Sequence, residues 1–410
     1  MKFSQYPISE TVKKNLEVLD FRRPTDIQYK SIPSILNGED VLAIAQTGTG
    51  KTAAFVIPML TIIEERKQKS RSSGIKGLVM VPTHELAQQV TSVFNQIGKN
   101  TGVRTFGLFG GVDQDPQITK LSKGVDILVA TPGRLFDLRS QGHLKLEWIE
   151  LLVLDEADHM LDLGFIKDIK DLLRYLPKRR QTLFFSATIN DYIKKVAYQL
   201  VQKNAIRIQI SPRDPVTKNV NHSVAFVPME DKRFFLERLI REQADTKILV
   251  FVRTKVRAER VKKAMARVEI QCSTIHGDKD QKERTHVMEQ YKAGKVKILI
   301  ATDITARGID IPNVEYVVNY DLPDKVENYV HRIGRTGRGK NRGYAVSFVA
   351  EAERPILQEI ETYLGNSVEV LNYSKDEHLN TIDMSAEDNR DLKKLMKEIE
   401  QFEKKKKKKK

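Results

Sequence analysis

The strongest constraint on this chain is a series of short apolar runs, each followed by a polar or glycine-containing turn and then by a longer stretch with helical spacing. The series includes Val41-Leu42-Ala43-Ile44, Gly77-Leu78-Val79-Met80-Val81, Asp126-Ile127-Leu128-Val129, Leu151-Leu152-Val153-Leu154 and Thr182-Leu183-Phe184-Phe185. A strand with one wet face alternates apolar and polar residues. A strand apolar at nearly every position belongs in a parallel sheet covered on both faces. A second series starts near residue 220, with Lys247-Ile248-Leu249-Val250-Phe251-Val252, Lys297-Ile298-Leu299-Ile300, Val314-Glu315-Tyr316-Val317-Val318 and Tyr344-Ala345-Val346-Ser347-Phe348-Val349. Between the two lies Ile210-Ser211-Pro212-Arg213-Asp214-Pro215-Val216-Thr217-Lys218, with two prolines and no apolar period, which reads as a linker. At 410 residues the chain is too long for one ordinary core. The expected fold is therefore α/β, with two doubly wound domains in tandem, each a mostly parallel sheet with helices on both faces. The boundaries read as residues 1–209, a linker at 210–219, residues 220–370 and a basic, partly disordered tail at 371–410.

Charge narrows the class of partner. The formal net charge is +15, and it remains +9 without residues 391–410, which hold ten lysines against four acids. A basic surface spread over the whole chain points to a polyanion. Leu392, Leu395, Met396 and Ile399 predict a short amphipathic helix, and the lysine run at 404–410 is expected to be disordered and to tether RNA electrostatically. The longest apolar stretch, near residues 53–63, is interrupted by Pro58 and Thr61 and falls short of the ~20 residues a membrane span needs. The N-terminus has no continuous apolar signal core, so a cytoplasmic protein is expected, without membrane association. A single cysteine, Cys272, leaves no internal disulfide, and eight scattered histidines give no zinc-site pattern.

The chemistry sits where apolar runs end. Ala45-Gln46-Thr47-Gly48-Thr49-Gly50-Lys51-Thr52 follows a predicted strand and opens a predicted helix. Small residues let backbone N–H groups approach oxyanions, a helix N-terminus faces them, a lysine reaches the β/γ-phosphates and a hydroxyl holds magnesium. Ala45 stands where the stricter form of this loop begins with glycine. Downstream, Leu151-Leu152-Val153-Leu154 runs into Asp155-Glu156. An acid pair at the end of a buried strand suits a nucleoside triphosphatase, with Asp155 on magnesium and Glu156 orienting and deprotonating the attacking water.

These motifs, in order, resemble the DEAD-box RNA helicases over about residues 3–370. The resemblance takes in Phe21 with Pro24-Thr25-Asp26-Ile27-Gln28, Pro82-Thr83-His84-Glu85-Leu86-Ala87, Gly110-Gly111, Thr131-Pro132-Gly133-Arg134, Asp155-Glu156-Ala157-Asp158 and Ser186-Ala187-Thr188. Farther on come Arg253-Thr254, Gln281 with Arg284, Ala301-Thr302-Asp303, Ala306-Arg307-Gly308-Ile309-Asp310 and His331-Arg332-Ile333-Gly334-Arg335-Thr336-Gly337-Arg338. It implies two RecA-like domains and an ATP-dependent RNA helicase that uses Mg2+ and remodels RNA duplexes or RNA–protein complexes with little sequence preference. The same motifs would also serve an ATP-gated RNA clamp.

By resemblance, Phe21 stacks on adenine and Gln28 hydrogen-bonds it. Gln46, Thr47, Gly48, Thr49, Gly50, Lys51 and Thr52 hold the phosphates and metal, and Asp310 reaches the ribose. Arg335 and Arg338 supply charge to the γ-phosphate, while Ser186, Thr188 and His331 couple ATP state to strand opening. RNA falls to Pro82, Thr83, Gly111, Thr131, Gly133 and Arg134 in the first domain, and to Arg253, Gly277, Arg284 and Thr302 in the second. Gly110-Gly111-Val112, Pro116-Gln117-Ile118 and the short C-terminus resemble the bacterial RhlE-like subgroup, which implies ribosome assembly, RNA turnover or cold adaptation; a monomer is expected. Three positions depart from the family: His84 and His159, where arginine is usual, and Asp20, where glycine is common.

Overall fold

The computed structural model describes residues 2–46, 48–69, 74–188, 191–210, 219–303, 314–337, 342–383 and 385. Thr47, Asp310, Arg338, the linker core, the helix expected near residue 395 and the lysine run lie outside them. Seven strands form the first sheet: β1 (Val41–Ala45), β2 (Gly77–Met80), β3 (Thr105–Leu108), β4 (Ile127–Ala130), β5 (Leu151–Leu154), β6 (Gln181–Ser186) and β7 (Ile206–Ile210). They lie in the order β3-β4-β2-β5-β6-β1-β7, and the neighbours pair in parallel. The second sheet holds β8 (Val220–Phe226), β9 (Ile248–Phe251), β10 (Cys272–Ile275), β11 (Ile298–Ala301), β12 (Tyr316–Asn319), β13 (Gly343–Val349) and β14 (Glu369–Leu371). Its order is β10-β11-β9-β12-β13-β8-β14, also parallel. The chain accordingly forms two compact units.

The unbroken apolar character of the inner strands has a direct cause. Successive side chains point to opposite faces, and both faces are covered. Val41, Ala43, Val79, Val129, Val153, Leu183 and Phe185 pack on one side with Phe55 and Leu60 of helix Lys51–Lys69 and with Leu86, Val90 and Phe94 of helix His84–Ile97. Leu42, Ile44, Leu78, Met80, Leu128, Leu152, Leu154 and Phe184 pack on the other, with Leu135 of helix Pro132–Ser140, Leu172 of Ile166–Tyr175 and Val196 of Asp191–Leu200. Each such burial contributes about 1.5–3 kcal/mol before conformational entropy is counted. Helix Lys51–Lys69 runs straight through Pro58 and is buried along most of its length. Among the described residues no helix is long and apolar enough to cross a membrane.

In the second unit, Ile248, Val250, Ile298, Ile300 and Val318 pack with Phe235 and Leu236 of helix Lys232–Glu242 and with Val261 and Met265 of helix Lys255–Arg267. This unit extends beyond the boundary expected at residue 370. Glu369, Val370 and Leu371 pair with Ser223, Val224 and Ala225, so that boundary would cut a strand. Helix Lys375–Asp383 follows. His378 Nε2 lies 2.9 Å from Asp231 Oδ2, Arg238 donates to Thr381 Oγ1 at 2.9 Å, and Ser385 donates to Glu237 at 2.7 Å. Tyr373 and His378 also pack on Phe235, with ring centroids 5.2 and 5.1 Å away, so a few scattered contacts hold a segment whose apolar patterning is weak.

Candidate active site

Parallel strands deliver their following loops to one edge of the sheet. In the first unit β1, β6 and β5 are neighbours, so the phosphate-type loop, Ser186-Ala187-Thr188 and the acidic quartet lie side by side. β2, β4 and β3 are likewise neighbours, which brings Pro82 and Thr83, Thr131 to Arg134, and Gly110 and Gly111 together next to them.

The loop after β1 is shaped by two glycines at positive φ, Gly48 at 81° and Gly50 at 92°. A Cβ on Gly48 would meet nothing, so torsion alone calls for glycine there; on Gly50 it would lie 2.5 Å from Gln28 Nε2. Thr49 Oγ1 donates to Gln46 O at 2.7 Å and closes the turn. Lys51, the first helical residue, is buried, and its ammonium has no hydrogen-bond partner. A buried cation at a helix N-terminus is costly unless an anion completes it, and a phosphate would do so. Thr52, the next residue of the same helix, is half-buried.

Gln28 closes over this loop. Its Oε1 accepts from Thr25 N at 3.0 Å, and its Nε2 donates to Gly50 O at 3.1 Å. An amide has two donors and two acceptor sites, so each end keeps one more for a ligand. Phe21 is half-buried and meets Phe3 edge-on at 6.1 Å. Just before it, Asp20 has φ of 58°, which explains why glycine suits this position.

β5 ends in Asp155, which is buried. Burial pushes its carboxyl from the ordinary 3.8 up to about 7, against the pull of the Lys51 ammonium and with a further push from Glu156. Glu156 holds a left-handed backbone, φ 50° and ψ 48°, and its N–H donates to Asp155 Oδ1 at 3.0 Å. Asp158 is the residue whose part the sequence left unread. Its Oδ2 accepts from Ala187 N at 3.2 Å, Thr188 N at 3.0 Å and Thr188 Oγ1 at 2.9 Å. Ser186 Oγ in turn donates to Thr188 O at 2.7 Å. The acidic quartet and the loop after β6 are thus one hydrogen-bonded structure. Their adjacency on β5 and β6 could have suggested it.

Along the other half of the edge, Thr83 caps helix His84–Ile97 by accepting from Leu86 N at 3.3 Å, beside buried Pro82. The His84 ring lies 5.8 Å from that of Phe109. Gly111 has φ of 72°, and a Cβ on Gly133 would enter open space. Thr131 N donates to Leu108 O at 3.0 Å. Arg134 donates to Val112 O at 2.8 Å and pairs with Asp137, while its Nη1 is buried without a hydrogen-bond partner. Arg134 therefore braces the glycine loop as well as facing it.

In the second unit the neighbours β10, β11, β9 and β12 place Gly277, Thr302, Arg253 and Asp321 along one edge. Arg253 N donates to Asp321 Oδ2 at 3.0 Å, and its guanidinium pairs with Asp324 at 3.0 Å and Glu353 at 3.5 Å. Behind it Lys232 is fully buried between Glu353 Oε2 at 2.5 Å and Tyr320 O at 2.7 Å. Arg284 lies in helix Gln281–Lys292. Arg332 grips Asp303 with two bonds of 2.6 and 2.8 Å and reaches Asp321 O at 2.7 Å. It ties the helix that ends in His331, Arg332 and Ile333 to the loop after β11. Arg335 Nε donates to His331 O at 3.3 Å.

Comparison with known proteins bears on this geometry directly. The DEAD/DEAH box helicase family pattern matches residues 25–196, and the helicase conserved C-terminal domain matches residues 231–340. The chain is 38% identical to the ATP-dependent RNA helicase RhlB of Shewanella frigidimarina, over 93% of this chain and 88% of that protein. The chain is a DEAD-box ATP-dependent RNA helicase. It is also 40% identical to the ATP-dependent RNA helicase CshA of Listeria monocytogenes, over 88% of this chain and 68% of that one. Among solved structures it resembles Saccharomyces cerevisiae Dbp5 bound to RNA and ADP BeF3, with a TM-score of 0.81 and 30% identity over 97% of this chain and 99% of that chain. Mss116 bound to ssRNA and UDP-BeF gives a TM-score of 0.82 at 27% identity, over 96% and 84%. The tandem parallel sheets of this DEAD-box helicase are therefore the RecA-like pair of its family.

Proposed function

We propose that this DEAD-box helicase binds ATP at the β1–β5–β6 edge and uses its hydrolysis for local, non-sequence-specific opening of RNA duplexes or RNA–protein complexes. The carrying observation is the buried Lys51 ammonium without a hydrogen-bond partner, held beside two positive-φ glycines and the acidic quartet. Lys51 and the loop amides from Gln46 to Thr52 take the phosphates, and Phe21 with Gln28 takes the adenine. Thr52 and Asp155 would hold Mg2+, which supplies positive charge to the phosphate oxygens when bound. Glu156 orients water and takes its proton, and Asp158 passes the state of that site to Ser186 and Thr188 through the bonds above.

Arg335 and Arg338, with Asp310 and His331, are the second unit's contribution. Arginine charge on a transferring phosphoryl group is worth roughly 10³ to 10⁵ in rate. RNA contacts fall to Pro82, Thr83, Gly111, Thr131, Gly133 and Arg134, and to Arg253, Gly277, Arg284 and Thr302. They reach phosphates and sugars, so sequence preference is small. Dbp5 and Mss116, the structural relatives, were solved with RNA, which supports this reading.

The chain's basic balance supports ribosomal particles or RNA-decay assemblies as partners, and its single cysteine suits a reducing compartment such as the cytoplasm. Placement in an RhlE-like subgroup rests on features such as Gly110-Gly111-Val112 and Pro116-Gln117-Ile118, while the relatives above carry the names RhlB and CshA. RNA-stimulated ATPase tests the site. Glu156→Gln and Arg335→Ala should each lower turnover at least a hundredfold while ATP still binds, and undiminished turnover in Glu156→Gln would remove the assignment of the base.

A further inference from the structure

His159 follows the acidic quartet and has no part in the site as assigned so far. It is the third residue of helix Ala157–Asp162, and that spacing brings its ring back over Glu156. Its Nδ1 lies 3.4 Å from Glu156 Oε2, and only 4% of its side chain is exposed, against 14% for Glu156. The other ring nitrogen, Nε2, is buried without a hydrogen-bond partner. An imidazole N–H buried without an acceptor is costly, and a bare Nδ1 lone pair facing a carboxylate oxygen is repulsive. Both difficulties vanish in the tautomer with hydrogen on Nδ1 and a lone pair on Nε2. Hydrogen bonds at catalytic groups are often long before substrate binds and shorten afterwards.

We infer that His159 is a positioning residue for hydrolysis: Nδ1–H donates to Oε2 of Glu156 and fixes the plane of the carboxylate that activates water. Glu156 holds a left-handed backbone, φ 50°, and a carboxylate that rotates loses its aim at the water. The inference rests on the assignment of Glu156 as the base.

Its test has two readouts on the full chain. In the nucleotide-free protein labelled with ¹⁵N-histidine, the ring signals lost in His159→Asn should show hydrogen on Nδ1, and they should shift in Glu156→Gln. In RNA-stimulated ATPase, His159→Leu should lower kcat by about 10- to 100-fold, the scale of a misplaced catalytic group. KM for ATP and affinity for a non-hydrolysable ATP analogue should stay unchanged. His159→Asn, whose side-chain amide N–H can replace Nδ1–H, should recover most of that loss. Hydrogen on Nε2, full turnover in His159→Leu, equal losses in Leu and Asn, or a parallel loss of analogue affinity would each overturn the inference. Turnover at the full rate in Glu156→Gln would instead remove the assignment of the base, independently of His159.

Discussion

Replacing Asp155 by asparagine should make the nucleotide-free protein more stable at pH 8 while abolishing its ATPase. Asp155 is buried beside Glu156 and Asp158, and its carboxyl is held at about 7 rather than the ordinary 3.8. The native pKa therefore lies above the unfolded one. Between those values the native state keeps a proton that the unfolded chain has released, so the penalty is small near pH 4, grows as pH rises and is complete above about 7. The gap corresponds to roughly 4 kcal/mol. Asparagine escapes that penalty, in which the attraction to Lys51 is already included, and can still accept from Glu156 N through Oδ1, but it puts an amide NH2 in place of the second oxygen. A net gain of about 2 kcal/mol is expected at pH 8, or about 4–8 °C in the melting of a domain this size. Thermal unfolding of both proteins at pH 8 and pH 5, without nucleotide or divalent ions, measures it. The advantage should shrink by about 2–3 kcal/mol at the lower pH. A lower Tm for Asp155→Asn at pH 8, or a difference independent of pH, would refute the reasoning.

Two further outcomes follow from single contacts. Asp158→Ala removes three bonds to Ala187 and Thr188, and should cost about 2–3 kcal/mol while speeding amide exchange at those two residues; unchanged protection there would mean that the loop after β6 holds itself. Asp20→Gly relieves a left-handed backbone at φ 58° and should raise stability by about 0.5–1 kcal/mol, read as a higher urea midpoint at constant slope, and a fall in the midpoint would show that the exposed contact with Arg22 matters more than the torsion.

What the sequence could reveal followed from burial. β1, β2, β4, β5 and β6 in the first sheet, and β9, β11, β12 and β13 in the second, were legible because covering both faces demands apolar residues at nearly every position. The edge strands β3 and β10, Thr105-Phe106-Gly107-Leu108 and Cys272-Ser273-Thr274-Ile275, carry polar and small residues and gave no such run. β14 and helix Lys375–Asp383 were invisible for a related reason, since they are held by backbone pairing, a few polar contacts and single rings on Phe235 rather than by an apolar run. At the site, glycines, lysine and acids announced themselves because phosphate chemistry restricts those residue types. The bonds among them did not. Gln28 to Gly50, Asp158 to Thr188 and Arg332 to Asp303 join positions 22, 30 and 29 residues apart, and only the packing of helices on the ordered strands brings them together.

The central claim is that ATP held by the acidic quartet and the phosphate loop drives RNA strand separation. Displacement of a short RNA duplex tests it most directly, with ATP, with a non-hydrolysable analogue and with Glu156→Gln. Wild-type protein should release strands over repeated cycles with ATP, whereas the analogue or Glu156→Gln should allow at most one release per enzyme molecule. Equal multiple-turnover displacement without hydrolysis would contradict the account, as would slow hydrolysis without any displacement, and the second result would mark the protein as an ATP-gated RNA clamp.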